Sequence, residues 1–158
     1  MRLSSHLIAV TPPAMEEAFR YAKAVPTDKV DWRPNESGRS VLDICKELAK
    51  CPDWAYDLLD GKGMELEAGD MAADEMGHWE TIDDCETALT QKLSRYLSFI
   101  AEYPDEKLDE VIELPFGEGG SMRTFSMGEM MGYPHWNAVY HLGQIAYIQT
   151  LLGDGDNH

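Results

Sequence analysis

Residues 126–153, SMGEMMGYPHWNAVYHLGQIAYIQTLLG, form the longest strongly apolar stretch of the chain. Between positions 139 and 152 the only clearly polar side chains are those of His141, Gln144, Gln149 and Thr150. A helix that is apolar nearly all round belongs in the interior of a bundle rather than on its surface. The sequence therefore predicts that the last helix of this chain lies in the middle of a helical bundle.

One polar stripe crosses this apolar helix. Asn137 lies four residues before His141, and Gln144 lies three residues after it. At 3.6 residues per turn these three side chains share one face, whereas His135 points elsewhere. A histidine in such surroundings needs a partner, and this makes His141 the first candidate functional residue.

Composition and charge exclude several classes of partner. The chain has 158 residues, which suits a single domain over residues 1–158, and its formal net charge is −16. Such a charge repels phosphates, so we expect neither nucleic acid nor an anionic membrane surface as a partner. No apolar run reaches the roughly 18 residues of a membrane span, and the first residues do not resemble a signal peptide. We therefore expect a cytoplasmic protein.

The three cysteines, Cys45, Cys51 and Cys85, agree with a reducing compartment, because their number is odd and no CxxC motif is present. Cys45 and Cys85 fall on apolar helix faces. We interpret both as buried thiols rather than as nucleophiles.

Four segments carry helical patterns with recognisable starts. Thr11 followed by two prolines predicts the start of the first helix, which ends near residue 24. Capping-box patterns begin the others at Ser40, Thr81 and Ser126. Prolines inside the second and fourth patterns, at positions 52 and 134, predict a kink or a break.

The connections between the helices differ in character. Residues 64–80 read as an acidic loop and a candidate lid, with His78 and Trp79 at its end. Residues 110–125 read as a small β-hairpin or an extended excursion, with a turn at 117–120. Residues 154–158 are expected to fray. The chain is therefore predicted to be all-α, a four-helix bundle with a small β-hairpin or extended excursion before the last helix.

Several motifs, in order and spacing, resemble those of the DinB/YfiT-like superfamily. The segments 126–129 (SMGE) and 137–145 (NAVYHLGQI) resemble its last helix, which typically reads T-x-G-E and then H-x-x-x-H-x-G-Q-[IV]. Upstream, 32–34 (WRP) and 40–44 (SVLDI) resemble its W-x-P…S-x-x-E-[IL] segment. The resemblance covers roughly residues 11–153. It implies a DinB-like four-helix bundle and, since members are often dimers, a homodimer.

The resemblance also implies a metal site. Members of this family usually carry three histidines, and these positions fall here on Glu47, Asn137 and His141, so only His141 is kept. Characterised relatives include metal-dependent transferases and isomerases that use bacillithiol, mycothiol or glutathione. The implied cofactors are thus a divalent metal (Zn, Ni, Mn or Fe) and a low-molecular-weight thiol. In that chemistry the metal favours deprotonation of the thiol.

Two classes of function remain open on the sequence. One is a metal-dependent transferase or hydrolase with Glu47 and His141 as ligands and Asn137 or water completing the site. The other is a metal-free bundle with a degenerate Glu/Asn/His set, which binds a small molecule or acts as a structural homodimer. The departures from the three-histidine pattern favour the second class. Arg33 and Arg39 either bind an anionic substrate or, as we prefer, pair with surface acids.

Both classes predict the same geometry. Glu47, Asn137 and His141 should converge at one end of a cavity between the second helix and the last. Without an ion, the Glu47 carboxylate should hydrogen-bond the His141 imidazole or the Asn137 amide, because a buried unpaired carboxylate is unfavourable. A charged pair of Glu47 and His141 would raise the pKa of the histidine.

Overall fold

The computed structural model describes residues 2–61, 76–116 and 118–158. Its long elements are α1 (Leu3–Ala24), α2 (Val41–Leu59), α3 (Ile82–Ala101), β1 (Val111–Leu114), β2 (Arg123–Ser126) and α4 (Met127–Leu151). The predicted all-α class and the four-helix bundle are confirmed, and so is the hairpin before the last helix. None of the helices in the described ranges has the length and apolar character needed to cross a membrane.

Capping boxes begin three of the helices, as the sequence predicted. At the start of α2, the Ser40 hydroxyl accepts from the Asp43 amide at 3.1 Å, and the Asp43 carboxylate accepts from the Ser40 amide at 2.9 Å. The same reciprocal pair begins α3 at Thr81 and α4 at Ser126. These pairs satisfy amides that a helix end otherwise leaves unbonded.

The predicted start of α1 at Thr11 is wrong, because the helix begins at Leu3 and runs through Pro12 and Pro13. A proline inside a helix removes one hydrogen bond and strains the preceding turn. The helix continues because one face is buried both before and after the prolines. That face consists of Leu7, Thr11, Met15, Ala18 and Ala22. Burial of this face outweighs the local preference of the two prolines.

The prolines inside α2 and α4 do not break these helices, which run continuously through Pro52 and Pro134. Pro134 has no N–H to donate to the carbonyl one turn earlier. In the same turn the Tyr96 hydroxyl of α3 donates to the Met131 carbonyl. Tyr96 is completely buried, so this bond ties α3 to α4 inside the core.

The hairpin sets the start of α4. β1 pairs antiparallel with β2 in the register Val111 with Ser126 and Leu114 with Arg123. The amides of Met127 and Gly128 then donate to carbonyls of the segment that leads into β1, at 2.8 and 2.9 Å. These bonds fix the first turn of α4. Part of the predicted turn, residue 117, lies outside the described residues.

The core lies between the four helices and places α2 against α4. Its side chains include Phe19, Leu48, Tyr96, Ile100 and Ile145, each at most 1% exposed. All three cysteines are free thiols and are buried. Burial raises the pKa of Cys45 and raises that of Cys85 to about 11, so neither is a thiolate at neutral pH.

Two peripheral features were predicted, a lid at residues 64–80 and a frayed tail at residues 154–158. Most of the proposed lid, residues 64–75, lies outside the described residues, and Trp79 at its end is buried in the core at 8% exposure. The tail at residues 154–158 contacts α1. His158 pairs with Asp154 at 2.7 Å and sets its ring edge-on to Tyr21 at 5.7 Å.

Candidate functional site

A cavity of about 480 Å³ opens between α2, α4 and the turn that precedes α2. We call it the site cavity. Its aromatic wall belongs to α4 and consists of Tyr133, Trp136, Tyr140 and Tyr147, and its polar groups are Arg39, Glu47, Asn137, His141 and Gln144. Its volume lies within the range usual for small-molecule sites.

The structure brings all three predicted site residues to this cavity. α2 carries Glu47, and α4 carries Asn137 and His141 one turn apart. The Glu47 Oε1 atom lies 3.0 Å from the His141 Nε2 atom, so the predicted contact between carboxylate and imidazole is present. Asn137 and His141 are each 1% exposed, whereas a third of the Glu47 side chain reaches solvent.

Arg39 is a site residue that sequence reasoning assigned to a surface pair. Its guanidinium donates to Glu47 Oε2, the oxygen that His141 leaves free. The other arginine of this segment, Arg33, pairs with Asp43 at 2.8 Å, as expected for a surface pair. Arg39 precedes α2 in an irregular turn, so no helical spacing relates it to Glu47, and no pattern in the sequence predicts this contact.

Gln144 extends the network along α4. Its Oε1 atom lies 2.6 Å from His141 Nδ1, and its amide nitrogen donates to the Tyr140 hydroxyl at 3.2 Å. Both partners of Gln144 thus lie on α4, within one turn of it. A side chain that bonds one ring nitrogen of a histidine fixes the ring orientation and selects its tautomer.

The pKa of His141 is lowered from its ordinary value of 6.5. Burial is the main cause, the Gln144 hydrogen bond acts in the opposite direction, and the positive charge of Arg39 lowers the pKa further. The expected rise for a charged pair with Glu47 is therefore wrong. Because the ring is almost completely buried, the cost of desolvating its charged form dominates, and His141 is neutral at neutral pH.

Asn137 is buried without full hydrogen bonding. Among the described residues, its Nδ2 atom has no hydrogen-bond partner. The amide lies against the thiol of Cys51. Burial raises the pKa of that thiol to about 12, an effect that the Asn137 amide partly offsets. Buried polar groups are nearly always paired, so an exception of this kind calls for an explanation.

A second, smaller cavity of about 160 Å³ adjoins the site cavity. We call it the side cavity. The two cavities have Glu47, Tyr133 and Asn137 in common. The other lining residues of the side cavity are Lys50, Cys51, Trp54 and Phe116.

The donor set does not fit the three-histidine metal centre that the family resemblance implies. It provides one imidazole nitrogen from His141, one carboxylate from Glu47 and the amide of Asn137, which is a poor ligand for zinc-like ions. Within the described ranges, no three His, Cys, Asp or Glu side chains are grouped so as to hold an ion. The Arg39 cation also bonds the only carboxylate, and its charge would oppose a second cation there.

Comparison with known proteins supports the fold. No protein-family model and no curated protein matches the sequence. Among solved structures, the crystal structure of the DinB-like protein YjoA from Bacillus subtilis is similar, with a TM-score of 0.65 at 13% identity. The similarity covers 97% of this chain and 95% of that one. At this level of identity the likeness shows a DinB-like fold.

Proposed function

We propose that this DinB-like bundle binds a small organic molecule in the site cavity and does so without a metal centre. The observation that carries the proposal is the pairing of Glu47. One carboxylate oxygen meets His141 Nε2 at 3.0 Å and the other accepts from Arg39. When the neutral His141 ring carries its proton on Nε2, both carboxylate oxygens accept hydrogen bonds from protein donors and have little need of an ion. The cavity beside the carboxylate then remains available to a ligand.

The aromatic wall supports an organic ligand. Trp136 and Tyr140 stack at 5.2 Å with nearly parallel rings, and Tyr133 lies 5.5 Å from Trp136. Trp136 and Tyr140 are each more than half exposed, as is Tyr147 on the same wall. Large exposed rings around a cavity offer contact area to a planar apolar molecule, and the polar groups at its base supply orientation.

One observation favours a metal-dependent transferase or hydrolase as a second candidate. If His141 donates its Nδ1 proton to Gln144, the Nε2 lone pair faces the Glu47 oxygen, and a cation between them would satisfy both atoms. Two ligands of a tetrahedral zinc ion stand about 3.3 Å apart, slightly more than the 3.0 Å found here. Such an ion would have to displace Arg39 from Glu47.

Metal analysis separates the two candidates. Protein purified without a histidine tag is dialysed against Zn²⁺, Ni²⁺, Mn²⁺ or Fe²⁺, freed of excess ion by gel filtration, and measured for metal content and thermal midpoint. The proposal expects well below one ion per chain and an unchanged midpoint. One tightly held ion per chain that is lost in both Glu47→Ala and His141→Ala would overturn it in favour of the second candidate.

A ligand screen tests the binding function directly. Planar aromatic fragments such as indole, quinoline and coumarin are screened by saturation-transfer NMR, and hits are followed through the assigned Trp136 indole signal. Trp136→Ala should weaken binding about tenfold or more, since it removes a large part of the wall. The matched control is Leu151→Ala, an exposed apolar residue of α4 outside the cavity. Equal losses in both variants, or no saturable hit, would contradict the proposal.

A further inference from the structure

The side cavity contains groups that the proposed function does not use. It is partly open to solvent and lies between the middle of α2, the Pro134 turn of α4 and Phe116, which follows β1. Its volume of about 160 Å³ is close to that of an engineered cavity of about 150 Å³ that binds benzene. The side cavity is therefore large enough for one ring or a short branched alkyl group.

Aromatic rings form its walls. The ring of Trp54 lies 4.9 Å from that of Tyr133 and 5.8 Å from that of Phe116, and both pairs are tilted. Phe116 is half exposed and stands at the edge of the cavity. Tilted rings at these distances leave faces and edges to which a further aromatic ring packs favourably. The walls thus favour an aromatic group over a flexible polar one.

A buried hydrogen-bond donor, the side-chain amide of Asn137, indicates which polar group the bound aromatic molecule carries. Asn137 is 1% exposed, and within the described part of the chain its Nδ2 atom has no partner beyond the adjacent Cys51 thiol, whose sulfur is only a weak acceptor. An unmade buried hydrogen bond is unfavourable, and a ligand oxygen that accepts from this amide would remove that cost. The Cys51 thiol beside it remains protonated, since burial raises its pKa to about 12, so no anion of the protein competes there.

The charges around the side cavity favour a negatively charged ligand oxygen over a neutral one. Lys50 lines the side cavity, and no described residue forms an ion pair with it. Glu47 also lines the cavity, but Arg39 neutralises its charge. A chain of net charge −16 repels anions over most of its surface. A lysine without an ion-pair partner therefore offers a position at which an anion can bind.

We propose that the side cavity is a binding site for a small aromatic carboxylate. The ring packs against the exposed sides of Trp54 and Tyr133, which are themselves in contact at 4.9 Å, and a carboxylate oxygen accepts from Asn137 Nδ2 with the Lys50 ammonium nearby. This site goes beyond the proposed function, because it needs neither a ligand in the site cavity nor the absence of a metal.

The test is a titration with sodium benzoate, followed by ¹H–¹⁵N NMR at constant pH and constant ionic strength. Saturable shifts are expected at the Trp54 indole and the Asn137 side-chain amide. Benzyl alcohol, which keeps the ring and loses the charge, should bind at least about tenfold more weakly, and so should acetate, which keeps the charge and loses the ring.

Variants identify the polar partners. Lys50→Met and Asn137→Leu should each weaken benzoate binding about fivefold to tenfold. The matched control is Lys46→Met, one turn earlier on α2 and outside both cavities, which should leave the dissociation constant unchanged. If Asn137→Leu fails to fold, Lys50→Met and the benzyl alcohol comparison decide by themselves.

The inference would be overturned by no saturable shift, by equal binding of benzyl alcohol and benzoate, or by equal losses in Lys46→Met and Lys50→Met. Shifts confined to the Trp136 indole would also overturn it, because Trp136 lines the site cavity and not the side cavity. Binding of uncharged fragments at Trp136 supports the proposed function whichever way benzoate behaves, so the two proposals fail separately.

Discussion

The contact between Glu47 and His141 predicts a measurable coupling in stability. Hydrogen bonds to charged groups contribute about 1.5–3 kcal/mol. His141 is buried, but a third of the Glu47 side chain is exposed, so solvent weakens the pair toward the lower half of that range. We expect Glu47→Ala and His141→Ala together to cost about 1–2 kcal/mol less than the sum of the single variants. For a domain of this size 1 kcal/mol corresponds to about 2–4 °C in thermal midpoint.

Urea unfolding followed by circular dichroism at pH 7.5 measures this coupling. The wild type, both single variants and the double variant form the cycle. A control cycle combines Glu47→Ala with Lys23→Ala, because Lys23 pairs with Asp83 and Glu86 on α3, away from the site. The control cycle should be additive within about 0.5 kcal/mol, as distant sites usually are. Additivity of the Glu47 and His141 variants to the same margin would refute the shared network.

Three further predictions concern the pH dependence of stability, the Tyr96 hydrogen bond and self-association. Because the pKa of folded His141 lies below 6.5, the unfolded state binds more protons as the pH falls through 6.5, and stability is lost there. The stability of the wild type relative to His141→Gln should therefore decrease from pH 7.5 to 5.5 in urea unfolding, and an increase would contradict the lowered pKa. Tyr96→Phe should lower stability by about 1–3 kcal/mol, since it leaves the buried Met131 carbonyl without its donor, and an unchanged urea midpoint would count against that bond. Self-association through helix faces should give a mass near twice 17.8 kDa in light scattering at micromolar concentration, whereas a mass near 17.8 kDa would contradict it.

Most of the features that the sequence predicted correctly depend on residues close to one another in the chain. The capping boxes at Ser40, Thr81 and Ser126 each satisfy amides within four residues, so the helix starts are encoded locally. The hairpin likewise pairs two short strands that lie close together in the sequence. The pairing of Glu47 with His141 is a long-range contact, and it followed from the resemblance of the motifs rather than from periodicity.

The features that it missed depend on tertiary packing. The first helix passes Pro12 and Pro13 because its buried face extends back to Leu7, which local propensity does not register. Arg39 reaches Glu47 from an irregular turn, and no periodic pattern describes such a turn. The direction of the His141 pKa shift depends on how completely the ring is buried, and burial is set by the packing of the whole bundle.

Charge balance connects the two cavities. Glu47 brings a negative charge to the site cavity, and Arg39 cancels it while His141 stays neutral. The polar base of the site cavity therefore has no net charge to attract a thiolate or a carboxylate. In the side cavity, Lys50 has no such partner among the described residues, and the unpaired amide of Asn137 adds a donor. Uncharged planar molecules should thus prefer the site cavity and aromatic anions the side cavity, and Arg39→Gln, which leaves Glu47 unbalanced, should weaken benzoate binding without touching its site.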